Sequence, residues 1–217
     1  MRAVLLDLDG VLVDSWDAVT PAFLGAASQF GLDGRAHLAD FRARMGMPLE
    51  TIVAEFGFPS DFPQVFRAIA RAHDPHVRPF EGIPAMLHRL RAMSLRIGVV
   101  TGKDRPRALG ILETTRLAGL VDAVVTATDA PGKPKPDGLW LCENLLGSGP
   151  SLAFVGDTDV DLQAAENAQR LPILATWGGF PLPAPRPEMV SIARPEDVVA
   201  LMRELQETRK PVGSTTR

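Results

Sequence analysis

Short apolar runs alternate with longer amphipathic stretches along most of the 217-residue chain. The opening MRAVLLDL reads as a buried strand that ends in acids. LRIGVVTG, VDAVVTA, SLAFVGD and LPILATW repeat that pattern, each a β-branched or apolar run closed by Gly, Thr, Asp or an aromatic turn. Between them lie segments with helical periodicity: EGIPAMLHRLRAM, PRALGILETTRLAGL, PDGLWLCENLLG and DLQAAENAQ, with EDVVALMREL last. Strands and helices alternating at this pitch predict βαβ units. The fold class is therefore α/β, a doubly wound, Rossmann-like parallel sheet with helices on both faces.

One segment breaks the alternation. Residues 16–77 carry only helical patterning (WDAVTPAFLGAASQF, PLETIVAEFGF, FPQVFRAIARAH), broken by Gly, Pro and Asp. The spacing predicts an α/β core of residues 1–14 and 78–217 and a helical cap of residues 15–77 inserted after the first strand. WGGFPLPAPRPEMV reads as a loop, and the largely polar QETRKPVGSTTR as a disordered tail.

Composition narrows the class. The chain is 46% hydrophobic and 23% charged, enough apolar material for a real core, and its net charge of −3 gives no footprint for nucleic acid. No apolar run approaches the roughly 18–20 residues that span a bilayer. MRAVLLDLDG lacks a signal-peptide layout, so cytoplasm is the expected compartment. Cys142 is the single cysteine, which excludes an intrachain disulfide. Monomer and dimer both stay open.

The candidate chemistry lies where the strands end. Asp7 and Asp9 project from the same side of the first strand, with Leu8 on the other. In open parallel sheets the carboxyl ends of the strands form the binding crevice. Thr101 and Gly102 close LRIGVVTG, Asp157 closes SLAFVGD with Asp159 and Asp161 just beyond, and GKPKPD brings Lys133 and Lys135 to the same edge. Clustered Asp oxygens suit a hard divalent ion, most naturally Mg2+. A hydroxyl, an N–H beside glycine and an ammonium suit phosphate oxygens. A carboxylate attacks phosphorus only when both negative charges are offset, and a second carboxyl two residues on can protonate the leaving alkoxide and then activate water.

DLDGVLVDS, VVTGK, GKPKPD and VGDTDVDLQAA, in that order, resemble the four motifs of the haloacid dehalogenase superfamily, and within it the phosphoglycolate-phosphatase-like members with a small helical cap. The resemblance covers nearly the whole chain. It implies that Asp7 is the nucleophile and a Mg2+ ligand, and that Asp9 is the general acid/base, with its carbonyl on the metal. It implies that Thr101, Gly102 and Lys133 hold the phosphoryl group and that Asp157 is a further metal ligand. Asp161 either reaches the metal through water or orients Lys133. RMGMPLE, residues 44–50, is similar to the cap's specificity loop, which makes Arg44, Gly46 and Met47 candidate substrate contacts. The implied activity is hydrolysis of a small phosphorylated metabolite, with no nucleic-acid or membrane partner. TGKDRPRA is also similar to phosphatase-like proteins of 3-amino-5-hydroxybenzoate biosynthesis.

Absences sharpen this. No lysine precedes Lys103, so the cap lacks the Schiff-base amine of phosphonoacetaldehyde hydrolases, and Met47, Pro48 and Leu49 stand where β-phosphoglucomutases carry Arg and Ser. A phosphomutase and a phospho-accepting signalling module nevertheless remain as alternatives. Arg42 and Arg44 suggest a compact anionic or sugar-like leaving group. Lys103 is either active-site rim or solvated turn, and Lys135 reads as a surface charge. Asp14 and Ser15 start the first cap helix, and Thr158 or Asp159 caps the helix after Asp157. His73 and His76 lack partners for a metal site, His37 and His88 are isolated, and Cys142 reads as a packed thiol. Gln169, where the family has glycine, leaves that helix without its usual left-handed C-terminal residue.

Overall fold

A computed structural model describes residues 2–179, 183–187 and 189–208. The elements in chain order are β1 (Ala3–Leu6), β2 (Val13–Asp14), α1 (Trp16–Gln29), α2 (Gly34–Ala43), α3 (Leu49–Glu55), α4 (Phe62–His73), β3 (Arg78–Pro79), α5 (Ile83–Ala92) and β4 (Arg96–Val100). They continue with α6 (Arg105–Thr114), β5 (Ala123–Val125), α7 (Asp137–Leu146), β6 (Ala153–Gly156), α8 (Asp159–Asn167), β7 (Leu171–Ala175), β8 (Val190–Ile192) and α9 (Pro195–Thr208). Six strands form one parallel sheet in the order β5-β4-β1-β6-β7-β8. Counted along the chain, that is the 3-2-1-4-5-6 order of a doubly wound sheet, with its crevice where the winding reverses beside β1.

Alternation along each strand feeds two faces. Val4 and Leu6 of β1 join Ile97, Val99, Val155 and Ile173 under α5, α6 and α9. Leu5 points the other way, into a layer with Val100, Phe154, Leu139 and Cys142 under α7 and α8. Burial there pushes the Cys142 thiol up to about 12. Helices α1–α4 lie between β2 and β3, whose short antiparallel ladder pairs Asp14 with Arg78. They pack around an apolar cluster of their own, with Phe23 at its centre and stacked on Phe41 at 4.2 Å. No helix among the described residues is long and apolar enough to cross a membrane.

The five strands read from the pattern are present. Four of these elements were not expected: the two-residue strands β2 and β3, helix α2 and strand β8. Helix α2 (GRAHLADFRA) shows little apolar periodicity, but Asp33 caps it by accepting from the Arg35 and Ala36 amides at 3.1 and 3.3 Å, and Phe41 anchors it. Strand β8 closes the sheet edge at the end of the segment read as loop; residues 180–182 and 188 of that segment lie outside the described residues. Helix α9 continues through Thr208, into the stretch read as disordered, and residues 209–217 lie outside the described residues. The expectation for Gln169 is also corrected. It adopts the left-handed conformation itself, with φ +59°, and the Arg170 amide donates to the Ala165 carbonyl at 2.8 Å, so the helix end closes as it would with glycine.

A buried ion pair joins the far ends of two strands. Glu143 on α7 accepts from the Ser151 amide (2.8 Å) and hydroxyl (2.7 Å) and from Arg170 (2.6 and 2.8 Å). Burial would raise its carboxyl, but Arg170 and Ser151 outweigh that and hold it below the usual range. A depressed carboxyl stabilises the fold at neutral pH, and the contribution is lost as pH falls through its folded value. Glu143→Gln is expected to cost about 1–3 kcal/mol of unfolding free energy at pH 7 by chemical denaturation, the gap to wild type closing in acid. A gap that widens in acid contradicts this account.

Candidate active site

The carboxyl ends of β1, β4, β5 and β6 bring the singled-out residues together. The chain leaves β1 with the Asp7 amide still donating to the Val155 carbonyl at 2.9 Å, so Asp7 stands beside β6. The segment then doubles back: the Leu12 and Val13 amides both donate to the Leu8 carbonyl, and Gly10 bonds Val13 at 3.0 Å. Gly10 has φ +75°, and a Cβ on it would lie 2.0 Å from an Asp157 oxygen. Only glycine lets that carboxylate approach the turn. Thr101, at the end of β4, bonds the Val125 carbonyl through its amide, and its hydroxyl accepts from the Lys103 amide at 3.2 Å.

Lys133 reaches in from the loop after β5. Its Nζ lies 3.0 Å from Asp7 Oδ1 and 2.6 Å from Asp161 Oδ1. The other Asp161 oxygen accepts from the Thr158 hydroxyl (2.6 Å) and amide (3.1 Å) at the start of α8, which makes Thr158 the cap. Both Asp161 oxygens are thus engaged, one of them in fixing Lys133. Lys135 is exposed.

Oxygens of Asp7, Asp157 and Asp161 all lie within 4.8 Å of one another, and all three residues are buried. If all three ionise against one ammonium, two negative charges are left out of water. Burial raises the Asp7 carboxyl to about 7; Lys133 opposes this, while Asp161 and Asp9 add to it. Asp157 is raised well above the usual range by burial and by Asp161 and Asp7. Its Oδ1 is buried without a hydrogen-bond partner. An all-oxygen cluster short of positive charge, with an orphaned oxygen, fits a hard divalent cation.

Asp9 stands apart from that cluster. Its Oδ1 accepts from Ser15 Oγ and from Lys103 Nζ, the latter at 2.5 Å. Burial pushes its carboxyl up, but Lys103 and Ser15 more than offset this and keep it ionised. Lys103 is buried and belongs to the site, which settles the choice the sequence left open. Ser15 likewise spends its hydroxyl on Asp9 instead of on capping α1, whose Trp16 amide bonds Asp14.

The 44–50 loop presses onto this rim. A Cβ on Gly102 would lie 2.5 Å from the Gly46 carbonyl and 2.6 Å from that of Met47. Gly46 and Met47 also line a narrow cleft of about 50 Å3 above Asp9. Arg44 does not line it. Its guanidinium pairs with Glu55 at 2.9 Å and lies over Phe56, so the expected substrate contact is directed elsewhere. Arg42 lies over Trp16. The cations that do line the cleft are Lys103, Arg67 and Arg107. Arg67 sits on the polar side of α4, and nothing in FPQVFRAIARAH marks it as facing a cleft. His73 and His76 approach no metal cluster among the described residues, while Asp74 between them binds Arg107 through both oxygens at 2.8 Å.

Residues 4–172 match the family described as haloacid dehalogenase-like hydrolase. Among curated proteins, a phosphoglycolate phosphatase from Aquifex aeolicus is 29% identical over 208 residues, covering 93% of this chain and 97% of its own length. A pyrophosphatase PpaX from Bacillus velezensis is 29% identical over 173 residues, covering 77% and 80%. A solved haloacid dehalogenase-like protein from Streptococcus pneumoniae superposes with a TM-score of 0.78 at 23% identity, over 93% of this chain and 98% of that one, and shows the fold.

Crowding of charge makes a direct prediction. With its carboxyl raised, Asp157 is ionised at neutral pH only against its surroundings, so Asp157→Asn removes a repulsion. In chelator the variant is expected to melt about 2–4 °C above wild type. Mg2+ should then raise the wild-type midpoint and leave the variant's unmoved. A variant less stable than wild type in chelator contradicts the argument.

Proposed function

The chain belongs to the haloacid dehalogenase-like hydrolases, and from that premise we propose that it is a Mg2+-dependent phosphatase that hydrolyses a small phosphomonoester through an aspartyl-phosphate on Asp7. The observation that carries the reading is the uncompensated cluster of Asp7, Asp157 and Asp161 around Lys133. Names of the relatives, phosphoglycolate phosphatase and pyrophosphatase, agree with cleavage at phosphorus.

Asp7, Asp157 and the Asp9 carbonyl would hold Mg2+, which when bound neutralises charge and polarises the phosphoryl oxygens. The Thr101 hydroxyl, the Gly102 amide and Lys133 hold the phosphoryl group, and Asp161 keeps Lys133 aimed at it. An Asp7 oxygen attacks phosphorus, and the bond to the leaving oxygen breaks. Asp9, ionised at rest, takes up the proton that the phosphomonoester monoanion brings and delivers it to that oxygen. The carboxylate this leaves is the form that Lys103 and Ser15 stabilise. Asp9 then takes a proton from water, which attacks phosphorus, releases phosphate and restores Asp7. Helices α1–α4 serve as the cap: closure of the 44–50 loop over Gly102 excludes bulk water and shapes the space for the leaving group. A soluble cytoplasmic metabolite is the substrate this enclosure suits.

Phosphate release from p-nitrophenyl phosphate with Mg2+ tests the reading. Asp7→Asn is expected to lower kcat by roughly 10^3-fold or more, and Asp9→Asn by about 10^2–10^4-fold, with both variants folded by circular dichroism. Near wild-type turnover by Asp7→Asn removes its nucleophilic role. A phosphorylated Asp7 that persists without releasing phosphate marks a signalling module instead.

A further inference from the structure

Three cations border the cleft above Asp9, and each is held against carboxylates. Lys103 is 2.5 Å from Asp9. Arg67 reaches Asp104 at 3.2 Å and Glu50 at 2.6 Å. Arg107 is forked onto Asp74 with both contacts at 2.8 Å. Three positive charges thus face four negative ones. Arg42 and Arg44, the arginines the sequence offered for an anionic leaving group, are engaged with Trp16 and Gly179 and with Glu55. Most of the remaining wall is apolar, built from Val19, Phe41, Met47, Leu49, Ile52 and Phe66.

An anionic group entering here meets cations whose charge is already offset and four carboxylates that repel it, so it gains little net attraction in a narrow space. An uncharged alcohol meets no such repulsion. It lays carbon against the Phe and Met wall and accepts from guanidinium N–H groups that keep their partners.

Resting on the phosphatase reading above, we propose that this site selects phosphomonoesters of an uncharged alcohol with an apolar face and discriminates against esters whose leaving group carries a second anion, carboxylate or phosphate.

Phosphoglycolate and its amide differ by one charge at nearly equal size, and they form the test. With the full chain and Mg2+, kcat/KM is measured for both. Where turnover is slow, inhibition constants against p-nitrophenyl phosphate take its place. The amide is expected to be favoured by roughly tenfold or more. Asp104→Asn keeps a competent N-cap on α6 while removing the charge opposite Arg67, and it is expected to shift the ratio several-fold toward phosphoglycolate. If phosphoglycolate matches or exceeds its amide, or Asp104→Asn leaves the ratio in place, while p-nitrophenyl phosphate hydrolysis still depends on Asp7, the assignment falls and the phosphatase reading stands. If no ester is hydrolysed in an Asp7-dependent manner, both fall.

Discussion

Three carboxyl groups crowded around one ammonium, out of water at the end of a parallel sheet, organise this molecule. The strand order sets β1 beside β6, so Asp7 and Asp157 leave the sheet as neighbours. Asp161 joins them from the first turn of α8. A single ammonium, from Lys133, is too little for all three, and burial together with the neighbouring acids raises the Asp7 and Asp157 carboxyls. Other local features follow from holding this arrangement. Gly10 leaves room for a carboxylate where any side chain would collide with it. The capping box at Thr158 ties Asp161 to the backbone, so that its second oxygen faces the lysine in a fixed direction. Lys133 is raised in turn, because Asp161 and Asp7 outweigh the cost of burying it.

Around this centre the molecule separates two kinds of charge handling. Asp7 and its neighbours carry an excess that invites a cation. Asp9, about a strand's pleat away, is balanced within the protein by Lys103 and Ser15. Two carboxyl groups from one short motif therefore differ in charge balance, because different side chains meet them. The insertion completes the enclosure by backbone contact: the Gly46 and Met47 carbonyls lie where a Gly102 side chain would be, and the Pro48 ring lies where one on Gly132 would be. Contacts this close depend on the absence of side chains at both core positions, which couples the seating of the loop to the segments carrying Thr101 and Gly132 beneath it.

Much of this was legible in the sequence, for identifiable reasons. Buried parallel strands are short continuous apolar runs, so β1, β4, β5, β6 and β7 stand out by composition alone. Residues that end or follow such runs must gather at one sheet edge, which places Asp7, Thr101, Lys133 and Asp157 in one group from the sequence alone. What escaped depends on tertiary contact. Helix α2 is held by a cap and one phenylalanine, a signal too local for periodicity. The left-handed turn at Gln169 costs strain that the helix-end hydrogen bonds offset, so glycine was not required. Long side chains were least readable. Arg44 and Arg67 look alike in the sequence, and only the neighbours Glu55 and Asp104 decide which one borders the cleft.

Cys142 has a practical consequence. The only thiol of the chain is buried beneath α7 and keeps its proton far above neutral pH. Maleimide reagents therefore have no reactive target on the folded native protein. Cysteines engineered at exposed positions of α2 and α7 would take up fluorophores selectively, without first deleting the native residue. Distance changes between the helical insertion and the sheet then become observable by energy transfer during turnover, on a background that the packing of one side chain keeps dark.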